Sequence, residues 1–134
     1  MRAYVFDSFA MIAFFENEPG ADDVGEILQS LIRKDAEGYM SVVNWGEMYY
    51  SIAREAGFNT AERVLGEFNK YPIQLVDADR ALTYEAAKLK AAHRVAYADC
   101  YAAALAVKLN APLVTGDPEF KRLENRLTIR WIGR

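Results

Sequence analysis

Short apolar runs alternate with helical segments along nearly the whole chain, and this alternation limits the possible folds more than any other feature. Five runs have the apolar character of buried strands, and they lie at 3–7, 38–43, 72–77, 112–115 and 127–132. Strands that are apolar on both faces are typical of a parallel sheet whose crossover helices cover it. The pattern therefore predicts an α/β fold with a mainly parallel, five-stranded sheet covered by helices on both faces.

The segment at 98–110, ADCYAAALAVKLN, supports a sheet that is covered on both faces. After Asp99, its only side chain charged at neutral pH is that of Lys108. A helix with so little charge is buried on most sides, and its alanines allow a close approach to a sheet. Because no repeat, low-complexity segment or long linker divides the 134 residues, we expect a single domain over 1–134.

Histidine and cysteine are nearly absent, which excludes several kinds of site. His93 and Cys100 are the only residues of these types, whereas a structural zinc site needs about four such ligands. No disulfide can form within the chain, which is typical of a reducing compartment and predicts a cytoplasmic protein. Triads of the Ser-His-Asp or Cys-His kind would require His93, which we interpret as a solvated residue in the charged segment KLKAAHRVAY.

No membrane segment is predicted, because no stretch reaches about 18 uncharged apolar residues. The N-terminal MRAYVFDSFAMIAFF has one arginine followed by apolar residues, which is a feature of signal peptides. Asp7 interrupts that run, however, and no small-residue cleavage site follows it. We therefore expect a first strand and helix in this segment.

Four acids lie where predicted strands give way to helices. Asp7 ends the first strand, Glu47 lies in the first turns of the helix after the second strand, Asp99 opens the alanine-rich helix, and Asp117 follows the fourth strand. In a parallel sheet all these points lie at the carboxyl edge, where open α/β folds bind ligands. Each acid alone also has an ordinary explanation, as a helix cap or a solvated residue.

Gathered at one partly buried edge, four carboxylates would repel one another and raise one another's pKa. A divalent cation removes that repulsion, and hard oxygen ligands without histidine or cysteine suit Mg²⁺ or Mn²⁺. Mg²⁺ held by carboxylates can activate a water for attack on phosphorus and stabilise the charge that develops. Since neither G-x-x-x-x-G-K-[ST] nor G-x-G-x-x-G occurs, phosphodiester hydrolysis is the predicted reaction.

Four longer segments contain these acids or follow them, and together they span nearly the whole chain. They are VFDSFAMIAFF, SVVNWGEMYY, YADCYAAALAVKLNAPLVTGDPEF and LTIRWI, in this order. Together they resemble PIN-domain ribonucleases, in particular the VapC-type toxins of type II toxin–antitoxin systems. The resemblance implies a three-layer α/β/α sandwich, one PIN domain over 1–134 and Mg²⁺-dependent cleavage of RNA. It also implies a homodimer and a cognate antitoxin protein as partner.

The resemblance assigns the chemistry to four catalytic acids. These are Asp7, Glu47, Asp99 and Asp117, of which Asp7, Asp99 and Asp117 are the implied metal ligands. Asn44, one helical turn before Glu47, and Thr115, two residues before the last acid, match supporting positions of the family.

Two positions near these acids need an interpretation of their own. The family often has a small hydroxyl residue two places after the first acid, where this chain has Phe9, so we expect Ser8 to supply the hydroxyl. Glu119 is interpreted mainly as an acid at the positive end of a helix dipole. The alternative is that Glu119 supports a metal ligand or binds a second metal.

The net charge of −3 argues against a generally basic nucleic-acid binder, but basic residues are unevenly distributed. Between 121 and 134 only Glu124 is acidic, against Lys121, Arg122, Arg126, Arg130 and Arg134. Such a strip can hold a polyanion, although a solvated tail has the same composition. For an RNA substrate we predict that Lys121 and Arg122 contact the backbone phosphates.

Two other functions stay open at this point. A phosphoacceptor receiver module also gathers acids at strand ends, but it would need paired acids after the first strand and a lysine after the fifth, which VFDSF and LTIRWI do not provide. A PIN-like module that binds RNA or a partner without cleaving is the main alternative, and the presence of all four acids argues against it.

The tripeptide MYY, residues 48–50, places three large side chains in succession on one predicted helix. A helix cannot turn all three toward the core. We therefore expect at least one of them to face outward and to contribute to an interface near the acids.

Overall fold

The computed structural model describes residues 1–133, which contain a five-stranded sheet. The strands are β1 (Arg2–Phe6), β2 (Ala36–Ser41), β3 (Ile73–Val76), β4 (Leu113–Thr115) and β5 (Ile129–Trp131). Their pairings are parallel and their order across the sheet is β3-β2-β1-β4-β5. The predicted parallel five-stranded sheet is confirmed.

Within residues 1–133, six α-helices and one 3₁₀ helix connect these strands. They are α1 (Ser8–Phe15), α2 (Ala21–Ile32), α3 (Val42–Ala56), α4 (Phe58–Phe68), α5 (Arg80–Ala92), α6 (Tyr97–Leu109) and the 3₁₀ helix (Pro118–Leu123). Gly57, with φ 93°, separates α3 from α4 in a conformation that residues with a Cβ rarely adopt. None of the helices in this part of the chain has the length and apolarity that crossing a bilayer requires.

Each face of the sheet carries its own hydrophobic core. On one face α1 to α4 pack around Phe6 and Met48, and on the other α5, α6 and the 3₁₀ helix pack around Val5, Leu105 and Phe120. Successive side chains of a strand point to opposite faces, and Val5 and Phe6 are both fully buried. The structure is therefore the three-layer α/β/α sandwich that the resemblance implied.

Helix α6 is buried along most of its length, as its composition predicted. Its buried residues include Ala102, Ala103, Ala104 and Ala106, whose small side chains let the helix lie close to the sheet. Asn110 ends the helix in the left-handed conformation, with φ 50°. This close packing holds the first turn of α6, which carries Asp99, rigidly against the sheet.

The strand order reverses between β1 and β4, and this reversal locates the site. From β1 the chain proceeds to β2 and β3 on one side, whereas β4 and β5 lie on the other. Such a switch point opens a crevice at the carboxyl ends of the strands. The register pairs Phe6 with Val114, so the residues that follow, Asp7 and Thr115, emerge side by side although they lie 108 positions apart.

The MYY residues behave as expected for the face of a surface helix. Met48 is fully buried, Tyr49 is partly buried, and Tyr50 is 47% exposed. The expectation that at least one of them faces outward is confirmed.

Candidate active site

Asp7 is the most deeply placed acid of the site. It follows β1 and caps α1, and its Oδ1 accepts a hydrogen bond of 2.8 Å from the backbone N–H of Ala10. Thr115, at the end of β4, donates its hydroxyl to Asp7 Oδ2. The residue is only 1% exposed. Both carboxylate oxygens are thus held in place by neighbouring groups.

Thr115 also fixes the next acid along the chain. Its Oγ1 accepts a 3.0 Å hydrogen bond from the backbone N–H of Asp117. Asp117 in turn caps the 3₁₀ helix, because its Oδ1 accepts a 2.9 Å hydrogen bond from the N–H of Glu119. The hydroxyl group of Thr115 therefore connects Asp7, which follows β1, to Asp117, which follows β4.

Glu47 is held from the opposite side by α1. Ser8 donates its hydroxyl to Glu47 Oε1 over 2.6 Å, which joins the first turn of α1 to α3. We expected Ser8 to supply the hydroxyl near Asp7, and that assignment is wrong. Thr115 supplies it instead, because β4 lies beside β1 and brings Thr115 against Asp7.

Asn44 connects α3 to the start of α6. Its Nδ2 donates to the carbonyl oxygen of Ala98 over 2.9 Å, one residue before Asp99. The side chain is fully buried, and its Oδ1 has no hydrogen-bond partner among residues 1–133. Asn44 therefore joins α3, which carries Glu47, to the backbone next to Asp99, and its Oδ1 is a buried acceptor without a partner among these residues.

Three carboxylates come within the reach of a single ion. Asp99, Asp117 and Glu119 each offer one oxygen, and these oxygens lie within 4.8 Å of one another. Asp7 stands outside this trio, with its oxygens hydrogen-bonded as described. Glu119 was interpreted mainly as a partner of the helix dipole, but the tight 3₁₀ turn brings its carboxylate back toward Asp117. Glu119 also lies in the first turn of that helix, so the geometry is compatible with both interpretations, the helix dipole and a role toward metal.

Burial and mutual repulsion weaken the acidity of the two most buried acids. The pKa of Asp7 is raised from 3.8 to about 8, mainly by burial, and Asp99 and Asp117 add to the rise. The hydrogen bonds from Thr115 and Ala10 act in the opposite direction. Burial also raises the pKa of Asp99 to about 7, with further contributions from Asp117, Glu47 and Glu119. All five acids therefore belong to one electrostatic cluster.

No ion pair joins a basic side chain to this cluster within residues 1–133. The ion pairs there are Arg33–Asp35, Lys70–Glu67, Lys88–Glu85 and Arg130–Asp23, and all of them lie on the surface away from the five acids. A hard divalent cation binds best to a group of carboxylates that has no other positive charge beside it. The donor set contains carboxylate, hydroxyl and amide oxygens, with no histidine or cysteine. It therefore fits Mg²⁺ or Mn²⁺.

Comparison with known proteins agrees with this geometry. The sequence matches the family model described as the PIN domain over residues 4–125. The chain belongs to the PIN-domain family. No curated protein sequence matches it significantly, so the family assignment rests on the domain match and the fold. The receiver-module alternative is thereby rejected.

Solved structures share this PIN-domain fold at low sequence identity. One is VapBC2 from Rickettsia felis bound to a promoter DNA fragment, with a TM-score of 0.76, 20% identity and coverage of 97% of this chain and 98% of that one. The VapC20 toxin of Mycobacterium tuberculosis, described as cleaving the sarcin–ricin loop, has a TM-score of 0.70, 12% identity and coverage of 94% and 96%. A toxin–antitoxin complex from Klebsiella pneumoniae has a TM-score of 0.62, 13% identity and coverage of 92% of both chains.

Phe9, the departure from the usual PIN pattern, packs against the loop that carries Asp117. A Cβ built on Gly116 would lie 2.5 Å from Phe9 Cε1 and 3.2 Å from the carbonyl oxygen of Ile132. The ring is still 40% exposed. A side chain at position 116 would therefore force the Phe9 ring or the loop to shift.

One sequence interpretation changes in the loop before α6, and one residue of the basic strip has an added contact. Arg122, predicted as an RNA contact, is exposed like Lys121 and donates its guanidinium to the carbonyl oxygen of Arg94. His93 is only partly exposed, and its Nε2 is buried without a hydrogen-bond partner among the described residues, so its interpretation as a solvated residue is wrong. Arg134, the last member of the basic strip, lies outside the described residues.

The sequence did not predict that the end of α5 and the loop at 93–96 border Glu119. The segment KLKAAHR contained the signal, since three of its basic residues stand directly before the alanine-rich helix. It was interpreted as one charged face of a long helix. In the structure α5 ends at Ala92, and the loop at 93–96 leads to α6.

Proposed function

We propose that this chain is a divalent-metal-dependent endoribonuclease that hydrolyses phosphodiester bonds. The observation that carries the proposal is the group formed by Asp99, Asp117 and Glu119, whose oxygens lie within 4.8 Å of one another. Asp7 and Glu47 extend this group, and no ion pair compensates it among residues 1–133. The catalytic acids predicted from the sequence, Asp7, Glu47, Asp99 and Asp117, are kept, and Glu119 joins them as a proposed ligand.

Each residue has a definable task in this mechanism. Asp99, Asp117 and Glu119 would hold the cation, which when bound acidifies a water and stabilises negative charge on the phosphate. Thr115 keeps Asp7 and Asp117 at a fixed separation by donating to one and accepting from the other.

The remaining groups position the acids on the helices. Ser8 fixes the orientation of the Glu47 carboxylate, and Asn44 fixes the first turn of α6. Asp7 retains its proton near neutral pH when no cation is present, because its pKa is about 8. Cation binding would therefore release a proton from the buried carboxyl group.

RNA is the proposed substrate, and Mg²⁺ the proposed cofactor, with Mn²⁺ as a substitute. Support comes from the family and from the M. tuberculosis relative, which is described as cleaving the sarcin–ricin loop. A PIN-like module that binds without cleaving is the competing function. Lys121 remains a proposed contact for the RNA backbone, whereas Arg122 has a second task in holding the loop at Arg94.

The direct test is cleavage of labelled single-stranded RNA by purified protein. We expect cleavage with Mg²⁺ or Mn²⁺, none after chelation with EDTA, and recovery when the metal is restored. A DNA strand of the same sequence shows whether the activity is specific for RNA. Binding without any cleavage, in the presence of metal and at several pH values, would support the competing function.

The contact between Phe9 and Gly116 provides a test of how the Asp117 loop is positioned. Gly116→Ala is expected to lower the cleavage rate roughly ten- to a hundredfold, because the new Cβ pushes the loop away from its position. Phe9→Ala should restore part of that loss in the double variant, since it removes the closest obstruction.

Gly66→Ala is the matched control, since nothing lies within 4 Å of a Cβ at this position of α4. It should cleave at the wild-type rate. If Gly116→Ala does so as well, with an unchanged melting temperature, the position of this loop is not critical for the reaction.

We also propose that the nuclease is the toxin of a toxin–antitoxin pair and that it forms a homodimer. Relatives with this fold are described as VapBC proteins and as a toxin–antitoxin complex. The surface of α3 and α4 offers Tyr50 and Phe58, which are 47% and 72% exposed. Exposed aromatic side chains of this size are typical of protein interfaces.

Expression of the protein alone is then expected to arrest growth, and co-expression with a small protein encoded beside it should restore growth and yield a stable complex. Asp99→Asn should be tolerated at the same expression level. Sedimentation of the purified protein measures its mass in solution and so tests for the homodimer. Harmless accumulation of wild-type protein, with active nuclease in the lysate, would reject the toxin role and leave the nuclease assignment unaffected.

A further inference from the structure

An open groove of about 670 Å³ runs beside the acidic group and is not needed to hold a metal. Its walls are the last turn of α5, the loop at 93–96 and Glu119. This volume lies within the range of sites that hold small organic ligands, about 300–1,000 Å³. Because Glu119 belongs both to this groove and to the carboxylate trio, a molecule in the groove would directly adjoin the metal position.

The charge of the groove is opposite to that of the acidic group next to it. Its positive charges are those of Lys90 and Arg94, and His93 lines it together with three alanines that leave the floor free of large side chains. The guanidinium of Arg94 is exposed and makes no hydrogen bond or ion pair with other described residues. It is therefore available to an anionic ligand.

The loop that forms the groove is held at both of its ends. Lys90 Nζ donates to the carbonyl oxygen of Val95 over 3.0 Å, which closes the loop after α5. Arg122 donates to the carbonyl oxygen of Arg94 and so connects the loop to the 3₁₀ helix. A loop fixed in this way keeps Arg94 near the acids without further rearrangement, which lowers the entropic cost of binding.

We propose that this groove binds the RNA nucleotide adjacent to the scissile phosphodiester, with Arg94 paired to its phosphate. The proposal rests on the ribonuclease function proposed above and adds a substrate-binding residue to it. A guanidinium suits a phosphate because it can donate two parallel hydrogen bonds. The alanine floor accommodates the sugar and base without selecting a particular sequence. Backbone recognition of this kind positions the strand rather than reading its bases.

The first test replaces the free guanidinium. Arg94→Gln is expected to raise KM for a single-stranded RNA about three- to tenfold while kcat changes less than about twofold. In the inactive Asp99→Asn background, the slope of log Kd against log salt concentration should fall by about 0.7, the value for one lost phosphate contact on a single strand. Lys108→Gln is the control, because it removes one positive charge at the opposite end of α6.

The second test adds a negative charge and does not depend on Arg94. The test variant is Ala91→Glu, because Ala91 lines the groove. The control is Ala87→Glu, because Ala87 lies one turn earlier on the same helix and outside the groove. Both positions are exposed. We expect Ala91→Glu to weaken RNA binding by several-fold for all sequences and Ala87→Glu to bind like the wild type. Melting temperatures near that of the wild type establish that both variants are folded.

The outcomes separate the groove from the nuclease function. If the wild type cleaves RNA in a metal-dependent manner, but Arg94→Gln and Ala91→Glu retain the wild-type KM and salt slope, the groove proposal is overturned and the nuclease stands. If the wild type binds RNA without cleaving it, the salt slopes still decide whether Arg94 contacts a phosphate.

Discussion

Replacing Asp99 with asparagine is expected to reduce RNA cleavage by about a hundredfold or more while the fold is retained. Asp99 is the member of the cluster whose pKa responds to Asp117, Glu47 and Glu119 together. The amide keeps the size and shape of the carboxylate, but it lacks the charge that a cation requires. The backbone of α6 is held by its buried alanines and by Asn44, neither of which depends on the Asp99 charge.

Asp79→Asn is the matched control for this substitution. Asp79 caps α5 by accepting a 2.9 Å hydrogen bond from the N–H of Leu82, and asparagine is an equally good cap. The Asp79→Asn variant should therefore retain both the cleavage activity and the stability of the wild type. Asp7→Asn is expected to resemble Asp99→Asn in activity. Wild-type cleavage by Asp99→Asn would contradict the proposed function, because Asp99 belongs to the carboxylate trio and interacts with Asp7, Glu47, Asp117 and Glu119.

The second large effect concerns stability in the absence of metal, which should fall as the pH rises from about 4 to about 8. The folded state raises the pKa of Asp7 from 3.8 to about 8, so it binds a proton more tightly than the unfolded chain does. Between these values the folded protein holds more protons, and a rise in pH therefore favours unfolding. Asp99, with a pKa of about 7, acts in the same direction.

Melting temperatures in EDTA across this pH range measure the effect. Added Mg²⁺ should reduce the fall, because a bound cation takes over the role of the protons and stabilises the folded state. Asp7→Asn should show a weaker pH dependence and a higher melting temperature at the alkaline end, since asparagine is neutral like protonated aspartate. Asp79→Asn should follow the wild-type curve. An identical pH dependence for Asp7→Asn and wild type would show that Asp7 ionises as freely in the fold as in the unfolded chain.

The sequence predicted the order of elements well because each strand and helix is specified by local composition. Each of these signals depends on a few neighbouring residues only, as in the apolar runs, the alanine-rich segment and the end of α6 at Asn110. The four acids could be assigned to one edge for the same reason. A parallel α/β arrangement places every strand end on that edge, whatever the order of the strands.

The individual contacts could not be predicted, since they depend on which strands are neighbours. The hydroxyl that bonds Asp7 comes from Thr115 only because β4 lies beside β1. Glu119 reaches Asp117 because the turn that follows is a 3₁₀ helix and not an α-helix. His93 looked solvated because the sequence does not reveal that α5 ends at Ala92 and that Arg122 then holds the loop.

The position of β4 between β1 and β5 has a consequence for protein synthesis. Asp7 and Glu47 leave the ribosome long before Asp117 and Glu119, and two of the three grouped carboxylates follow β4. A nascent or prematurely terminated chain that stops before β4 lacks one of the two strands that border β1, and it lacks those two acids. Under the proposed function we therefore expect such a fragment to be inactive, because two of its three proposed metal ligands are made only near the end of this sequence.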